Sequence, residues 1–111
     1  MSNTITNDDI QCTVALVALQ NVIDPEIGLN IVDLGLIYQI DFDDAGRRVY
    51  CTMTLTTQFC PMGEAIIHAA EQSLEGSLPG QELIIKLIFD PPWNQERISA
   101  EGKQFLNYSP C

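Results

Sequence analysis

Basic residues are scarce in this chain of 111 residues, which has five lysines and arginines against fifteen aspartates and glutamates. The formal net charge is −10, and such a surface repels phosphate groups. We therefore expect no nucleic-acid partner and no binding to a membrane surface. No apolar run approaches the roughly 18 residues of a membrane span. The acidic N-terminus does not match a signal peptide, so we expect a cytoplasmic protein.

Familiar metal and catalytic motifs are also missing. The four cysteines, at positions 12, 51, 60 and 111, form no CxxC pair, and one histidine cannot complete an ordinary zinc site. There is no GxGxxG, Walker loop, GxSxG or HExxH. His68 shares a predicted helix face with Glu64, Glu71 and Glu75, which we interpret as a solvated acidic face. It lies about 12 Å along that helix from Cys60, so we expect no Cys–His dyad within the helix, and a histidine partner for Cys60 would have to come from another subunit.

What the sequence does contain is an ordered series of predicted elements. A first helix starts near Asp8, with its apolar stripe formed by Ile10, Val14, Val17 and Ala18. Cys12 falls off this stripe and is expected to be partly exposed. Two alternating runs, 36–42 and 49–55, predict a β-hairpin whose core face includes Cys51. Residues 26–35 between helix and hairpin read as an ordered loop.

The second half of the chain predicts a helix, a strand and a short helix. The helix runs from Pro61 to about Leu78, and its predicted inner face is Met62, Ala65, Ile66, Ala69 and Ser73. A strand follows at 83–89, and a final helix at 99–106. Together these elements predict one α/β domain, a two-layer sandwich with a small mixed three-stranded sheet. Its core spans about residues 8–106, with a flexible tail at 107–111. The outer face of the sheet, with Ile37, Ile84 and Ile88, suggests a homodimer.

Cys60 is the strongest candidate for chemistry because it lies between a strand and a helix. If Pro61 is the first helical residue, Cys60 is the N-cap, where backbone amides and the helix dipole lower a thiol pKa. Thr56 and Thr57 add hydroxyls at the end of the preceding strand. A thiolate is a nucleophile and also a soft metal ligand, and the local pattern leaves both roles open, beside that of a simple cap.

Four further residues are candidates for a supporting role. Asp24, Glu26 and Asp33 belong to the loop region before the hairpin, where they either accept backbone hydrogen bonds or poise Cys60. Trp93, the single tryptophan, follows Asp90-Pro91-Pro92 and serves either as a hydrophobic lid or as a ligand contact.

Taken together, these segments resemble a known family, the small iron–sulfur cluster assembly domain. The likeness covers roughly residues 10–106 and rests on four blocks in order: VIDPEIG at 22–28, NIVDLGLIY at 30–38, TLTT with CPMG within 54–63, and DPPW with ISAEG within 90–102. The family includes SufT-like maturation factors, PaaD-like proteins of phenylacetate degradation and eukaryotic iron–sulfur targeting subunits. The resemblance implies the cluster-assembly type of α/β fold.

The resemblance also implies a role in maturing iron–sulfur client proteins, without catalytic turnover. It identifies Cys60 as the reactive thiol and metal ligand, with Asp24, Glu26 and Asp33 in the matching positions. Since one thiolate cannot hold a cluster, it implies a transient iron–sulfur cluster or iron rather than a stable cofactor. The other ligands come from a second Cys60 across a dimer, or from an assembly scaffold or client apo-protein. Alternatives are a PaaD-like factor for an aromatic-degradation oxygenase, a thiol enzyme using Cys60, and a docking module using the acidic helix and Trp93.

Overall fold

The structure, a computed structural model, describes residues 4–107 as a mixed α/β fold. The elements are β1 (Ile5–Thr6), α1 (Asp9–Leu19), β2 (Ile37–Asp43), β3 (Arg48–Met53), α2 (Gly63–Ser77), β4 (Glu82–Leu87), a 3₁₀ turn (Gln95–Arg97) and α3 (Ala100–Asn107). The sheet order is β1-β2-β3-β4, with β2–β3 antiparallel and the outer pairs parallel. The α/β prediction is confirmed, but the sheet has four strands instead of three. The sequence does not predict β1, because a strand of two residues is too short to show an alternation of apolar and polar side chains.

The predicted hairpin forms the centre of the sheet. Ile40 pairs with Cys51 and Phe42 with Val49, and all four side chains are buried in the core. Asp43 closes the turn by accepting the Gly46 N–H at 3.0 Å. The prediction that Cys51 is a core residue is confirmed, and its burial raises the pKa of the thiol to about 12.

A β-bulge changes which face of the sheet Ile37 occupies. The register shifts between Ile37 and Gln39, so that Ile37 lies opposite Met53, a fully buried residue. Ile37 itself is 3% exposed. The prediction that it belongs to the outer face was wrong because the extra residue of a bulge reverses the alternation of side chains. Ile84 does lie on the outer face, beside Tyr50.

The buried face of α1 also differs from the predicted one. Asp8 caps the helix as expected, and its carboxylate accepts the Gln11 N–H at 3.0 Å. The buried residues are Cys12, Ala15, Leu16, Ala18 and Leu19, whereas Ile10, Val14 and Val17 are exposed. The predicted exposure of Cys12 is therefore wrong, and burial raises the pKa of its thiol. Because α1 is apolar on both sides, periodicity alone does not identify the inner one.

α2 begins two residues later than predicted. Its buried residues are Gly63, Ile66, Ala70 and Leu74, so only Ile66 of the expected inner face is buried. Gly63 packs so closely on Leu55 that a Cβ there would lie 2.8 Å from the leucine Cδ1. The predicted end near Leu78 is confirmed. The predicted acidic face is solvated: Glu64, His68 and Glu75 are exposed and Glu71 is half-buried.

The segment after β4 folds back onto the start of the hairpin. The Tyr38 hydroxyl donates to the Pro91 carbonyl at 2.9 Å, and the Arg97 Nε–H donates to the Gly35 carbonyl at 3.1 Å. The Arg97 guanidinium also lies 4.0 Å from the centroid of the Tyr38 ring. The predicted final helix is confirmed as α3, with Ser99 Oγ accepting the Gly102 N–H at 2.9 Å.

The predicted flexible tail, including Cys111, falls mostly outside the described residues. Within residues 4–107, no helix combines the length and the apolar character that crossing a membrane requires.

Candidate functional site

Cys60 lies in the loop between β3 and α2. Its N–H donates to the Thr57 carbonyl at 3.3 Å, and its carbonyl accepts the Gly63 N–H at 3.2 Å. Pro61 and Met62 form a turn before the helix, and Met62 occupies the N-cap. The prediction that Cys60 caps the helix is therefore wrong. The thiol lies one turn before the helix, where the helix dipole acts on it less directly.

Cys60 is a half-buried residue whose sulfur faces a carboxylate. Its Sγ lies 3.5 Å from Glu26 Oε1, in an arrangement where the thiol donates to the carboxylate. Burial raises the pKa of the Cys60 thiol, and the hydrogen bond to Glu26 and the charges of Glu26 and Asp24 raise it further. The Met62 backbone amide acts in the opposite direction. The predicted lowering of this pKa is therefore wrong, since one amide is outweighed by two carboxylates and partial burial.

Glu26 reaches the sulfur because a tight turn holds its backbone in place. Asp24, which is 2% exposed, accepts the Glu26 N–H through Oδ1 at 2.9 Å. The Asp24 carbonyl accepts the Gly28 N–H at 2.7 Å, and Gly28 has φ +83°, a conformation that favours glycine. The buried aspartate thus organises the turn, and Glu26 extends from it toward Cys60.

Replacing Glu26 with glutamine is expected to lower the pKa of the Cys60 thiol and to speed its alkylation severalfold at mildly alkaline pH. The variant removes both the negative charge and the carboxylate acceptor that favour the neutral thiol. Iodoacetamide labelling of Cys60, followed by peptide mass spectrometry, measures the rate. Glu75→Gln, an exposed change elsewhere on the molecule, is the matched control. An unchanged or slower rate in Glu26→Gln would contradict the assignment.

Asp33 holds the fold together and is not placed against Cys60. Its Oδ2 accepts from Asn30 Nδ2 at 2.7 Å, and its Oδ1 accepts from the Ser99 hydroxyl at 2.8 Å. The Asp33 carbonyl accepts the Ser99 N–H at 2.7 Å. Asp33 therefore ties the loop before β2 to Ser99, the residue just before α3.

We expect Asp33→Ala to lower the free energy of unfolding by about 2 kcal/mol, because it removes a charged acceptor from two hydrogen bonds. Urea denaturation measures the loss. The alkylation rate of Cys60 in the folded variant should equal that of the parent protein. A changed rate with an intact fold would mean that Asp33 acts on the thiol after all.

A cleft is bordered by Thr56, Thr57 and Trp93, and the two threonines shortly precede Cys60 in the sequence. The cleft has a volume of about 240 Å³ and is lined by Leu55, Thr56, Thr57, Gln58, Phe59, Phe89, Pro92 and Trp93. The Thr57 hydroxyl accepts the Phe59 N–H at 3.2 Å, so it stabilises the loop. Trp93 donates its indole N–H to the Leu34 carbonyl at 2.6 Å and is half-buried against the core. These contacts give Trp93 a structural role at the edge of the core, and its role as a lid or as a ligand contact stays a prediction.

Two apolar side chains near the thiol, Phe59 and Met62, were not predicted to lie on the surface, and Met62 was expected on the inner face of α2. Phe59 is 81% exposed, and Met62, on the other side of Cys60, is also exposed. Their positions next to the cysteine were the available signal, because large apolar residues in an exposed loop often mark a contact surface. Among residues 4–107, no group of three or more His, Cys, Asp and Glu side chains is arranged to hold a metal ion.

Comparison with known proteins identifies the family. The model of the iron–sulfur cluster assembly protein family matches residues 13–84. The chain is 40% identical to the Fe-S protein maturation auxiliary factor SufT of Staphylococcus aureus, with 79% of this chain and 99% of that protein covered. It is 35% identical to the Fe-S protein maturation auxiliary factor YitW of Bacillus subtilis, covering 78% and 83%.

The fold agrees with this likeness. A solved domain of unknown function from Bacillus anthracis superposes with a TM-score of 0.80 at 34% identity, covering 86% of this chain and 90% of that one. The named relatives favour the SufT-like branch over the PaaD-like alternative. The chain belongs to the iron–sulfur cluster assembly protein family, on its SufT-like side.

Proposed function

We propose that this protein is a cytoplasmic auxiliary factor in the maturation of iron–sulfur proteins, and that Cys60 transiently binds iron or an iron–sulfur cluster. The observation that carries the proposal is the Cys60 sulfur, which is paired with Glu26 Oε1 at 3.5 Å and lies in a loop where Phe59 and Met62 are exposed. Family membership supports the role in maturation. The pairing of thiol and carboxylate supports the choice of ligand.

Incomplete ligation is what a transfer factor needs. Clusters usually take about four thiolate ligands, whereas this site offers the single thiol of Cys60. The remaining ligands come from a second chain, which is an assembly scaffold, the client apo-protein or a second copy of this protein. A cluster held jointly in this way is released when the partner completes its own ligand set, so no stable cofactor is expected.

Glu26 supplies the proton acceptor that metal binding requires. A thiol must lose its proton to ligate iron, and metal binding therefore releases a proton. In the proposed step the Cys60 S–H bond breaks, its proton passes to the Glu26 carboxylate 3.5 Å away, and the sulfur electron pair binds iron. Before iron arrives, the raised pKa keeps the thiol neutral and so less prone to oxidation.

Phe59 and Met62 provide a contact surface for the scaffold or client beside the sulfur. Both side chains are exposed although they are apolar, and they flank the residue that exchanges the metal. A partner that covers them also excludes water from the shared cluster. Transient metal binding and contact with a partner make the proposed role that of a carrier or adaptor.

Anaerobic reconstitution with iron and sulfide tests the proposed function. The parent protein should gain visible absorbance and should activate an apo-protein client, and Cys60→Ser should lose both. Cys12→Ala is the matched control, because it removes a thiol that is 4% exposed and cannot reach an external metal. Equal absorbance and equal client activation in the parent and Cys60→Ser would refute the proposal.

A further inference from the structure

One edge of the sheet is open along the length of β4. β4 is the last strand in the order β1-β2-β3-β4, and its six residues pair only with β3 in the part of the chain that the structure describes. Glu82 and Ile88 donate their N–H groups to Arg47 and Met53, on the β3 side. Because backbone groups alternate along a parallel strand, those of Leu83, Ile85 and Leu87 point away from β3. The edge therefore presents a row of donors and acceptors.

The charges on this edge favour a second copy of the same chain. A chain with net charge −10 repels a copy of itself over most of its surface. Yet three of its five basic residues lie near this edge: Arg47 in the turn before β3, Arg48 in β3 and Lys86 in β4. Within β4, Glu82 and Lys86 stand two residues on either side of Ile84 and share the outer face of the sheet. This arrangement is complementary to itself when the strand is reversed.

We propose that two copies of this protein pair antiparallel through β4, with Ile84 of each copy facing Ile84 of the other. Glu82 is paired with Arg48 of its own chain, with 3.0 Å between Arg48 Nε and Glu82 Oε1. In the proposed register Glu82 of one copy also lies opposite Lys86 of the second, and the same arrangement repeats across the two-fold axis. Leu83 then lies opposite Ile85, and both have free backbone groups, so each such pair exchanges two hydrogen bonds. Ile84 is 36% exposed in the single chain, and in the dimer it is covered by Ile84 of the second copy.

The same register fixes where the two Cys60 sites lie. Leu87 of one copy faces Gln81 of the other, so the two Leu87 residues are six positions apart, about 20 Å at 3.3 Å per residue. Met53 pairs with Leu87, and the chain continues beyond Met53 to Cys60. The two Cys60 loops therefore lie at opposite ends of an eight-stranded sheet. They do not share one cluster, and each must draw its other ligands from a partner.

Charge reversal with a mixing control tests the dimer. The full chain should show twice its monomer mass in sedimentation equilibrium, and Lys86→Glu and Glu82→Lys should each weaken dimerisation about ten- to hundredfold by placing like charges opposite each other. An equimolar mixture of the two variants should dimerise more tightly than either variant alone, since every facing pair in the mixed dimer again joins one acidic and one basic side chain. Lys103→Glu, an exposed change on α3, should have no effect. A monomer at every concentration would overturn the proposal and leave the edge for a strand of another protein.

Cross-linking tests the register. In a background of Cys60→Ser and Cys111→Ser, Ile84→Cys should form an intermolecular disulfide on mild oxidation, because residues facing each other in a non-hydrogen-bonded pair have Cα atoms about 4.5 Å apart. Lys86→Cys, on the same face, should not cross-link, because its copies are four positions apart, about 13 Å. Equal cross-linking of both variants would refute this register. The inference rests on the sheet edge, so loss of cluster binding in Cys60→Ser leaves it intact.

Discussion

Replacing Gly35 with alanine is expected to lower the free energy of unfolding by about 3 kcal/mol or more. Gly35 has φ +79°, a conformation that costs an L-residue roughly 1–2 kcal/mol. An added Cβ would also lie 2.7 Å from the Arg97 Cβ and 2.9 Å from the Arg97 carbonyl carbon. Since one of these atoms is backbone, a rotamer change does not relieve the overlap. Either the turn before β2 or the segment around Arg97 must move.

Two other glycines separate the cost of the positive φ from the cost of the steric overlap. Gly28 has φ +83° but no atom within 4 Å of an added Cβ, so Gly28→Ala should cost only about 1–2 kcal/mol. Gly76 lies in α2 with open space around it, so Gly76→Ala should stabilise the protein by roughly 0.5–1 kcal/mol. Urea denaturation followed by circular dichroism gives all three values. If Gly35→Ala cost no more than Gly28→Ala, the close packing of Arg97 on Gly35 would be wrong.

Truncating Trp93 to alanine is expected to cost about 3 kcal/mol of unfolding free energy. The change removes the ring from the core edge and leaves the Leu34 carbonyl without its 2.6 Å indole donor. Trp93→Phe keeps the packing and loses the hydrogen bond, so it should cost about 1 kcal/mol. Unfolding of both variants in urea is followed by circular dichroism and not by tryptophan fluorescence, because both variants lack the single tryptophan.

The phenylalanine variant also distinguishes a lid from a ligand contact. If Trp93 is a lid over the cleft beside Thr56 and Thr57, Trp93→Phe should take up iron and sulfide as the parent protein does. A folded Trp93→Phe protein that no longer takes up a cluster would instead show that the indole contacts the ligand.

The elements that were predictable from the sequence are those with a strong period. β2 and β3 alternate apolar and polar residues, so their pairing and the buried position of Cys51 followed directly. The inner face of α1 did not follow, because apolar residues occupy both of its sides. Ile37 was assigned to the wrong face because a bulge leaves no mark on the period.

The candidate site was predictable in position but not in its electrostatics. The resemblance led to Cys60, Asp24 and Glu26, and the structure brings these three together. The sign of the pKa shift depends on a carboxylate 34 residues away in the chain, which local helix-capping reasoning does not include. Asp33 shows the same limit, since its partner Ser99 is 66 residues away.

Protection of Cys60 by iron is the most direct test of the central claim, that this sulfur is the metal ligand. The native protein is alkylated anaerobically with and without ferrous iron and sulfide, and each cysteine-containing peptide is quantified by mass spectrometry. We expect iron and sulfide to slow the alkylation of Cys60 at least about tenfold, because a metal-bound thiolate is not free to attack. The buried Cys12 and Cys51 serve as internal references, which should stay unreactive in both conditions. Alkylation of Cys60 at the same rate with and without iron and sulfide would contradict the account.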